Sequence, residues 1–377
     1  MPDNNRKKRI CIIYNFAQHY RESIFKLLDQ EFDCSFYFGK NYLDIKKMDY
    51  SLLKGDIHEV DTIKFGPIIY RKQIIGLLNK DYDAYIILGE SRVASTWLFL
   101  FLSRLCPRKK VYAWTHGWYG KEKGVKRFFN KLILKLPNGG NFFYGNYGRQ
   151  LAIKEGIDDS KQYTIHNSLA YDEQISIRNL LTINPIFKNH FNNENHNLIF
   201  VGRLTKIKKL DQILKALKGC SKKGYNFNLT FIGSGEMIEE LKQLSKELGL
   251  EKNVWFYGAC YDECILGNLI YNADLCVSPG NVGLTAIHAM VFGCPVITHN
   301  NFSYQMPEFE SIKQGITGSF FDYNDITSLS NCIIRWIEGK KNIRHQVRKD
   351  CMSEIDNYWT PHFQLETFKK VIYDSIS

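Results

Sequence analysis

The chain has no hydrophobic run long enough to cross a membrane. Its longest apolar block, Trp97 to Leu102, falls far short of the ~20 residues that a spanning helix needs. The basic patch Arg6 to Arg9 is followed only by the short run Ile10 to Tyr14 before polar Asn15, so the core of a secretory signal is missing and translocation is not expected. Paired cysteines are missing too. The ten cysteines stand singly within apolar stretches, as at Cys11, Cys34, Cys276 and Cys332, which is the usage of reduced core thiols in a cytoplasmic protein. Cys260 and Cys264 have the closest spacing, and neither a second pair nor a matching histidine pattern completes a zinc set. No metal and no resident cofactor is expected.

What is present suits a large globular protein. A chain of 377 residues, 44% hydrophobic and 24% charged, is too long for one typical domain, about right for two, and too apolar for wholesale disorder. The formal net charge of +11 favours anionic company: nucleotides, nucleic acid or an acidic membrane surface. No nucleic-acid-binding module is recognisable, so a nucleic-acid partner is not expected.

Short β-type runs alternate with helical stretches from residue 9 to about 170: Ile10–Tyr14, Cys34–Phe38, Ala84–Leu88, Lys110–Thr115, Asn141–Tyr144 and Tyr163–His166. The alternation restarts with Asn197–Val201, Asn228–Ile232, Val254–Tyr257, Leu275–Val277 and Pro295–Thr298. Such alternation predicts parallel, doubly wound sheets, here two Rossmann-like α/β domains. Residues 171–195, polar and Asn-rich at their end, read as a linker plus loop. The expected division is 1–180, a linker 181–196, a second domain 197–355, and a closing helix 356–377 that returns to the first domain.

Ligands of open α/β sheets gather at the carboxyl ends of strands. Three loops there combine glycine with charge or a helix start. Gly202 to Lys209 places Arg203 and Lys208 five residues apart after an apolar strand, so both can reach one anion. Gly233-Ser234-Gly235-Glu236 opens the helix predicted over Met237–Leu248. The third loop organises the chain. After the strand ending at Val277, Pro279-Gly280 breaks the backbone, and Leu284, Ile287, His288 and Val291 recur at helical spacing. A glycine turn into a helix N-terminus presents unpaired N–H groups and a partial positive charge to a phosphate or a sugar hydroxyl. Gly280, Asn281, Val282, Gly283 and Leu284 are the candidate contacts.

The runs FVGRLTKIKKLDQIL, FIGSGEMIEELKQLSKELGLEKNVWFYG and YNADLCVSPGNVGLTAIHAMVFGCPVIT, in this order and spacing, resemble the C-terminal half of family-4 (group 1) glycosyltransferases of the GT-B fold, over about residues 197–338. The resemblance implies transfer of a sugar from a nucleotide diphosphate donor, UDP- or GDP-linked, to a glycan or lipid-linked acceptor in bacterial surface polysaccharide synthesis of the capsule or lipopolysaccharide kind. It implies a hexosyltransferase acting with retention and without a bound metal, with the donor on the C-terminal domain and the acceptor on the N-terminal one. Arg203 and Lys208 match the pair that grips the diphosphate. Gly202, Gly233, Gly235 and Gly258 join the donor-binding set.

Two departures stand out. The family usually carries two glutamates separated by seven residues, by the donor sugar and the ribose; here those positions are Gly280 and His288, and neither is a carboxylate. His288 can still bond a ribose hydroxyl. Glu308 and Glu310, in the loop after the next strand, are the nearest substitutes for the first glutamate. The glycine usual after Lys208 is Lys209. In the first half, Trp114-Thr115-His116-Gly117 ends a strand where the family commonly keeps a histidine near the reacting sugar, which marks His116 as catalytic, and Asn167-Ser168 resembles a segment before the linker. The usual glycine-rich loop after the first strand is replaced by Asn15 to Arg21.

The stretch 121–136 interleaves Lys121, Lys123, Lys126, Arg127, Lys131 and Lys135 with Phe128, Phe129, Leu132, Ile133 and Leu136, as in a cationic amphipathic helix that could bind an anionic membrane surface. The rivals to a transferase are a nucleotide-sugar-binding protein that has lost catalysis, a sugar-nucleotide epimerase of the same fold, and a phosphorylase, for whose lysine-bound pyridoxal cofactor no site is evident.

Overall fold

The computed structural model describes residues 6–40 and 46–376. It divides into two compact units, residues 1–170 with 360–377, and residues 171–359.

The first unit runs β1 (Arg9–Tyr14), α1 (Glu22–Glu31), β2 (Asp33–Gly39), β3 (Asp56–Val60), β4 (Thr62–Phe65), β5 (Ile68–Arg71), β6 (Ala84–Leu88), α2 (Ala94–Ser103), β7 (Lys110–Thr115), α3 (Gly124–Lys135), β8 (Gly140–Phe143), α4 (Asn146–Lys154) and β9 (Gln162–Thr164). Seven strands form a parallel sheet in the order β3-β2-β1-β6-β7-β8-β9. The central strands are continuous apolar runs because helices cover both faces. Ile10, Cys11, Ile12 and Ile13 are all fully buried.

The second unit runs α5 (Tyr171–Arg178), α6 (Ile186–Phe191), β10 (His196–Val201), α7 (Asp211–Ser221), β11 (Phe227–Ile232), α8 (Ile238–Glu247), β12 (Val254–Gly258), α9 (Glu263–Asn272), β13 (Leu275–Val277), α10 (Leu284–Val291), β14 (Val296–His299), β15 (Gly318–Phe321), α11 (Ile326–Lys340) and α12 (Arg344–Tyr358). Its six parallel strands take the order β12-β11-β10-β13-β14-β15. The C-terminal helix α13 (Pro361–Ile376) belongs to the first unit, where Phe368 packs 4.4 Å from Phe142 and 5.1 Å from Trp114, centroid to centroid.

In each sheet the strand order reverses beside the first strand, between β1 and β6 and between β10 and β13. These are the two places where the loops at the strands' carboxyl ends part and leave a crevice.

Several expectations need correction. Residues 181–196 are not a free linker. They carry α6, bury Phe187, and stack His190 on Trp255 at 3.8 Å, all within the second unit. α5 is pinned to α12 by the Arg178–Asp356 ion pair at 3.0 Å, so the boundary lies at residue 170/171. Four strands went unread: β3 is an exposed edge of charged residues, β15 is short, and β4 and β5 form a separate antiparallel hairpin turning at Gly66-Pro67. Of the basic stretch, only Gly124–Lys135 is helical.

Candidate functional site

The β10/β13 crevice of the second unit brings together the loops that carry glycine and basic residues. Arg203 is exposed just past β10, while Lys208 lies in a turn of 3-10 helix, and its Nζ donates to the Asn281 carbonyl oxygen at 2.7 Å. The two loops meet because residue 280 has no side chain. A Cβ on Gly280 would lie 2.2 Å from the Ile207 carbonyl oxygen and 2.6 Å from Lys208 Cα. A side chain does not fit at this position, because the β10–α7 backbone descends so closely onto the β13–α10 loop.

Burial, together with the nearby Arg203 charge and against the pull of Glu308, lowers the Lys208 ammonium to about 8. Glu308, buried in the turn Pro307–Ser311, thus stands beside Lys208 as the carboxylate of this crevice, whereas Glu310 is less buried. Gly233 and Gly235 serve close approach. A Cβ on Gly233 would meet the Gly202 carbonyl oxygen at 1.9 Å, and the Gly233 N–H donates to the Gly258 carbonyl at 2.8 Å. Gly258 acts through Gly233, two strands from the crevice.

The α10 N-terminus is partly committed. Val282 was expected among the ligand contacts. Its side chain is fully buried, and its N–H donates to Gln305 Oε1 at 2.7 Å. Gln305 is in turn oriented by donating to Thr298 Oγ1 at 2.8 Å and to the His299 carbonyl at 3.0 Å. Among the described residues, the amides of Gly283, Leu284 and Thr285 find no carbonyl partner, and neither buried Ser278 Oγ nor Asn281 Oδ1 has one. Thr285 Oγ1 donates to the Val201 carbonyl at 2.9 Å and holds the helix start against the end of β10.

His288 sits one turn into α10, and its Nε2 lies 2.8 Å from Glu263 Oε1, which also accepts from Gln174 Nε2 at 2.7 Å. Burial works against the Glu263 charge, but His288 and both hydrogen bonds outweigh it and hold the carboxyl below its usual value. Sequence reading missed Glu263 because it opens α9, 25 positions before His288, outside any motif. Among the described residues, no group of three or more His, Cys, Asp or Glu side chains is placed to hold a metal ion.

In the first unit, His116 follows β7 and lines a cavity of about 410 Å³ with Glu90, Arg92, Thr115, Glu122, Lys126 and Asn130. Burial, reinforced by the Arg21 charge, lowers the His116 imidazole to about 4, so it is neutral at physiological pH. Its ring lies 4.6 Å from that of Tyr144, and its Nδ1 has no partner among the described residues. Arg21, from the segment that replaces a glycine-rich loop, is buried with its guanidinium 4.6 Å from the Tyr144 ring and donates to Asn167 Oδ1 at 2.9 Å. Arg71 is fully buried and pairs with Glu90 at 2.9 Å.

Residues 183–351 match the family described as glycosyl transferases group 1. An uncharacterized 41.2 kDa protein in the cps region of Klebsiella pneumoniae is 27% identical over 206 residues, 52% of this chain and 53% of the relative. An uncharacterized glycosyltransferase of Haemophilus influenzae is 31% identical over 170 residues, 43% of this chain and 47% of the relative. The matched stretch therefore spans about half the length of these curated relatives. The crystal structure of Anabaena HepE in complex with UDP is similar with a TM-score of 0.72 at 14% identity, covering 97% of this chain and 100% of HepE.

Two parallel six- and seven-stranded sheets, each with its order reversing beside the first strand, give the chain the GT-B fold. Through its 183–351 segment it is similar to the group 1 glycosyltransferases.

Proposed function

We propose that the protein transfers a hexose, with retention, from a UDP- or GDP-linked donor held by the second unit to a glycan or lipid-linked acceptor held by the first, in bacterial surface polysaccharide synthesis. The observation that carries this reading is the β10/β13 crevice, where Arg203, Lys208, the unpaired amides of Gly283 to Thr285 and the unpartnered Ser278 hydroxyl offer two cations and a set of donors to one diphosphate. HepE was determined with UDP, and this supports a uridine nucleotide as the first to try.

In the reaction the acceptor hydroxyl oxygen bonds to the anomeric carbon as the bond from that carbon to the β-phosphate oxygen breaks, and the hydroxyl proton leaves on the released diphosphate. Arg203, Lys208 and the α10 amides stabilise the charge that develops on the leaving group. Neutral His116 orients the acceptor side, Glu308 takes the part of the absent carboxylate, and His288 with Glu263 meets the ribose. The protein works in the cytoplasm, peripheral to the membrane through residues 121–136.

Calorimetric binding of UDP and GDP to wild type, Arg203→Ala and Lys208→Ala tests the assignment. Each substitution is expected to weaken the better nucleotide by roughly 10- to 100-fold, the scale of one charge-assisted contact of about 1.5–3 kcal/mol. Unchanged affinity in both variants would sink it. Acceptor-dependent release of nucleoside diphosphate then separates a working transferase from a binding protein that has lost catalysis.

A further inference from the structure

The crevice of the second unit is rich in hydrogen-bond donors. Arg203, Lys208 and the amides of Gly283 to Thr285 all donate, which suits a diphosphate. Acceptors are fewer, and Glu308 and Asn281 lie beside Lys208. The ribose that adjoins the diphosphate in a nucleotide carries hydroxyls whose hydrogens need acceptors of their own. His288 lies one turn, about 6 Å, along α10 from Leu284 and on the same helix face. What it can offer a hydroxyl is set by which ring nitrogen carries the hydrogen.

Glu263 decides that placement. Its Oε1 lies 2.8 Å from His288 Nε2. Burial opposes charge on this carboxyl, but His288 and the hydrogen bonds from His288 and Gln174 outweigh it and hold the carboxyl below its usual value, so it is ionised at neutral pH. An ionised carboxylate only accepts, so the hydrogen between the two belongs to Nε2. A neutral imidazole in this form has a bare lone pair at Nδ1, and among the described residues nothing donates to it.

The carboxylate is itself held in place. Asp262, the N-cap of α9, commits its side chain to the amides of Cys264 at 2.9 Å and Ile265 at 3.1 Å, which leaves Glu263 to face α10. Buried Gln174 of α5 donates to the same Oε1 at 2.7 Å. α9 is seated closely at Gly267, where a Cβ would lie 2.8 Å from Phe292 Cε1 at the end of α10. Three helices therefore fix the orientation of one imidazole.

We propose that Glu263 is a positioning residue for the donor: by accepting the Nε2 hydrogen it leaves His288 Nδ1 to accept from a ribose hydroxyl, and Gln174 steadies the carboxylate. The proposal rests on the transferase reading and gives its ribose contact a direction, hydroxyl donating and imidazole accepting. A deoxyribose nucleotide keeps its diphosphate contacts and forfeits this one.

Two readouts test the role of Glu263. The first is nitrogen-15 NMR of the histidine-labelled protein at pH 8, with the His288 signals identified by their loss in His288→Asn. Wild type is expected to carry hydrogen on Nε2 alone, and hydrogen on Nδ1 or on both nitrogens would overturn the proposal. The second is calorimetric affinity for whichever of UDP and GDP binds better, set against its 2′-deoxy and 3′-deoxy forms. Wild type is expected to bind one deoxy form about tenfold more weakly, the scale of one lost hydrogen bond with its partner left unpaired. Glu263→Ala should remove that preference by losing ribonucleotide affinity while the affinity for the deoxy form holds. Equal binding of all three forms by wild type would overturn the proposal, and so would a Glu263→Ala protein that melts lower yet keeps the preference, the behaviour of a purely structural pair. The NMR readout needs no change at Glu263, so it decides the matter if Glu263→Ala does not fold. Arg203→Ala should weaken ribose and deoxyribose forms equally. If it weakens neither, the transferase reading fails; if it weakens both and the preference survives Glu263→Ala, only the role of Glu263 fails.

Discussion

The two candidate ligand regions are built by opposite means. In the second unit the crevice is made of backbone: three strand-end loops come within contact of one another at Gly202, Gly233 and Gly280, and the side chains that matter are two cations and a buried carboxylate. In the first unit the backbone supplies little, and the site is a cavity walled by side chains from distant elements, with Arg21 set among aromatic rings and His116 kept neutral beside it. The first construction suits a ligand whose charge is fixed, a diphosphate. The second suits a neutral, variable sugar whose hydroxyls must be oriented. Substitutions should therefore act through backbone collision and charge in one unit, and through lining and protonation in the other.

Gly280 tests the backbone side most severely. Any side chain there collides with the Ile207–Lys208 backbone, since a Cβ would lie only 2.2–2.6 Å away. Even Gly280→Ala should therefore separate the two loops, cost about 1–3 kcal/mol of stability and lower nucleotide affinity about tenfold or more by withdrawing Lys208. Gly280→Glu should be worse in both. A Gly280→Glu protein with wild-type melting and raised turnover would show that the loops do not meet as described.

Charge sharpens the contrast through pH. Lys208 titrates near 8 in the folded protein against an ordinary value of 10.5, so nucleotide affinity should fall as pH rises through about 8. Stability of the unliganded protein moves the other way. Between about 8 and 10.5 the unfolded chain holds more protons at this site, and stability rises with pH across that window. His116, lowered to about 4 from 6.5, gives a second window in which stability is full above 6.5 and is lost as pH falls toward 4. Melting temperatures and nucleotide titrations from pH 4 to 10 should show the alkaline limb vanish in Lys208→Met and the acid limb shrink in His116→Asn. Glu308→Gln, which removes the opposing charge, should move the alkaline limb of nucleotide affinity to lower pH. A limb that survives its own substitution belongs to another group.

The same division explains what the sequence made legible. Parallel alternation, the crevice loops and Arg203 with Lys208 could be read because backbone-built sites leave a local signature: an apolar run, a glycine, a charge, a helix start. The strand Leu275–Val277 and the helix start at Leu284 fall where expected for that reason. Edge elements were illegible, since β3 sets only Ile57 and Val60 among Asp56, His58 and Glu59, and the β4–β5 hairpin contributes to neither sheet. Contacts between distant positions were illegible too. Nothing near His288 announces Glu263, nothing near Glu90 announces Arg71, and Val282, apolar beside two glycines, reads as part of a ligand loop although Gln305 takes its amide. The Asn-rich stretch before β10 read as a linker because a single buried apolar residue, Phe187, anchors it.

The smallest expected effect lies at Lys209, where the family usually has glycine. Lys209 adopts φ of 51°, a left-handed conformation that disfavours side chains by roughly 1–2 kcal/mol. Its ammonium lies 3.9 Å over the Tyr323 ring and donates to Asn324 Oδ1 at 2.5 Å. Lys209→Gly relieves the strain but loses these contacts and adds backbone freedom to the unfolded chain, about 0.5–1 kcal/mol in the other direction. The terms nearly cancel, so the melting temperature should move by less than about 2 °C and nucleotide affinity should stay within about twofold, because the side chain is engaged with Tyr323 and Asn324, away from Asn281. A loss of affinity as large as that of Lys208→Ala would make Lys209 a third cation of the diphosphate site and would show that its contact with Tyr323 is abandoned when the nucleotide binds.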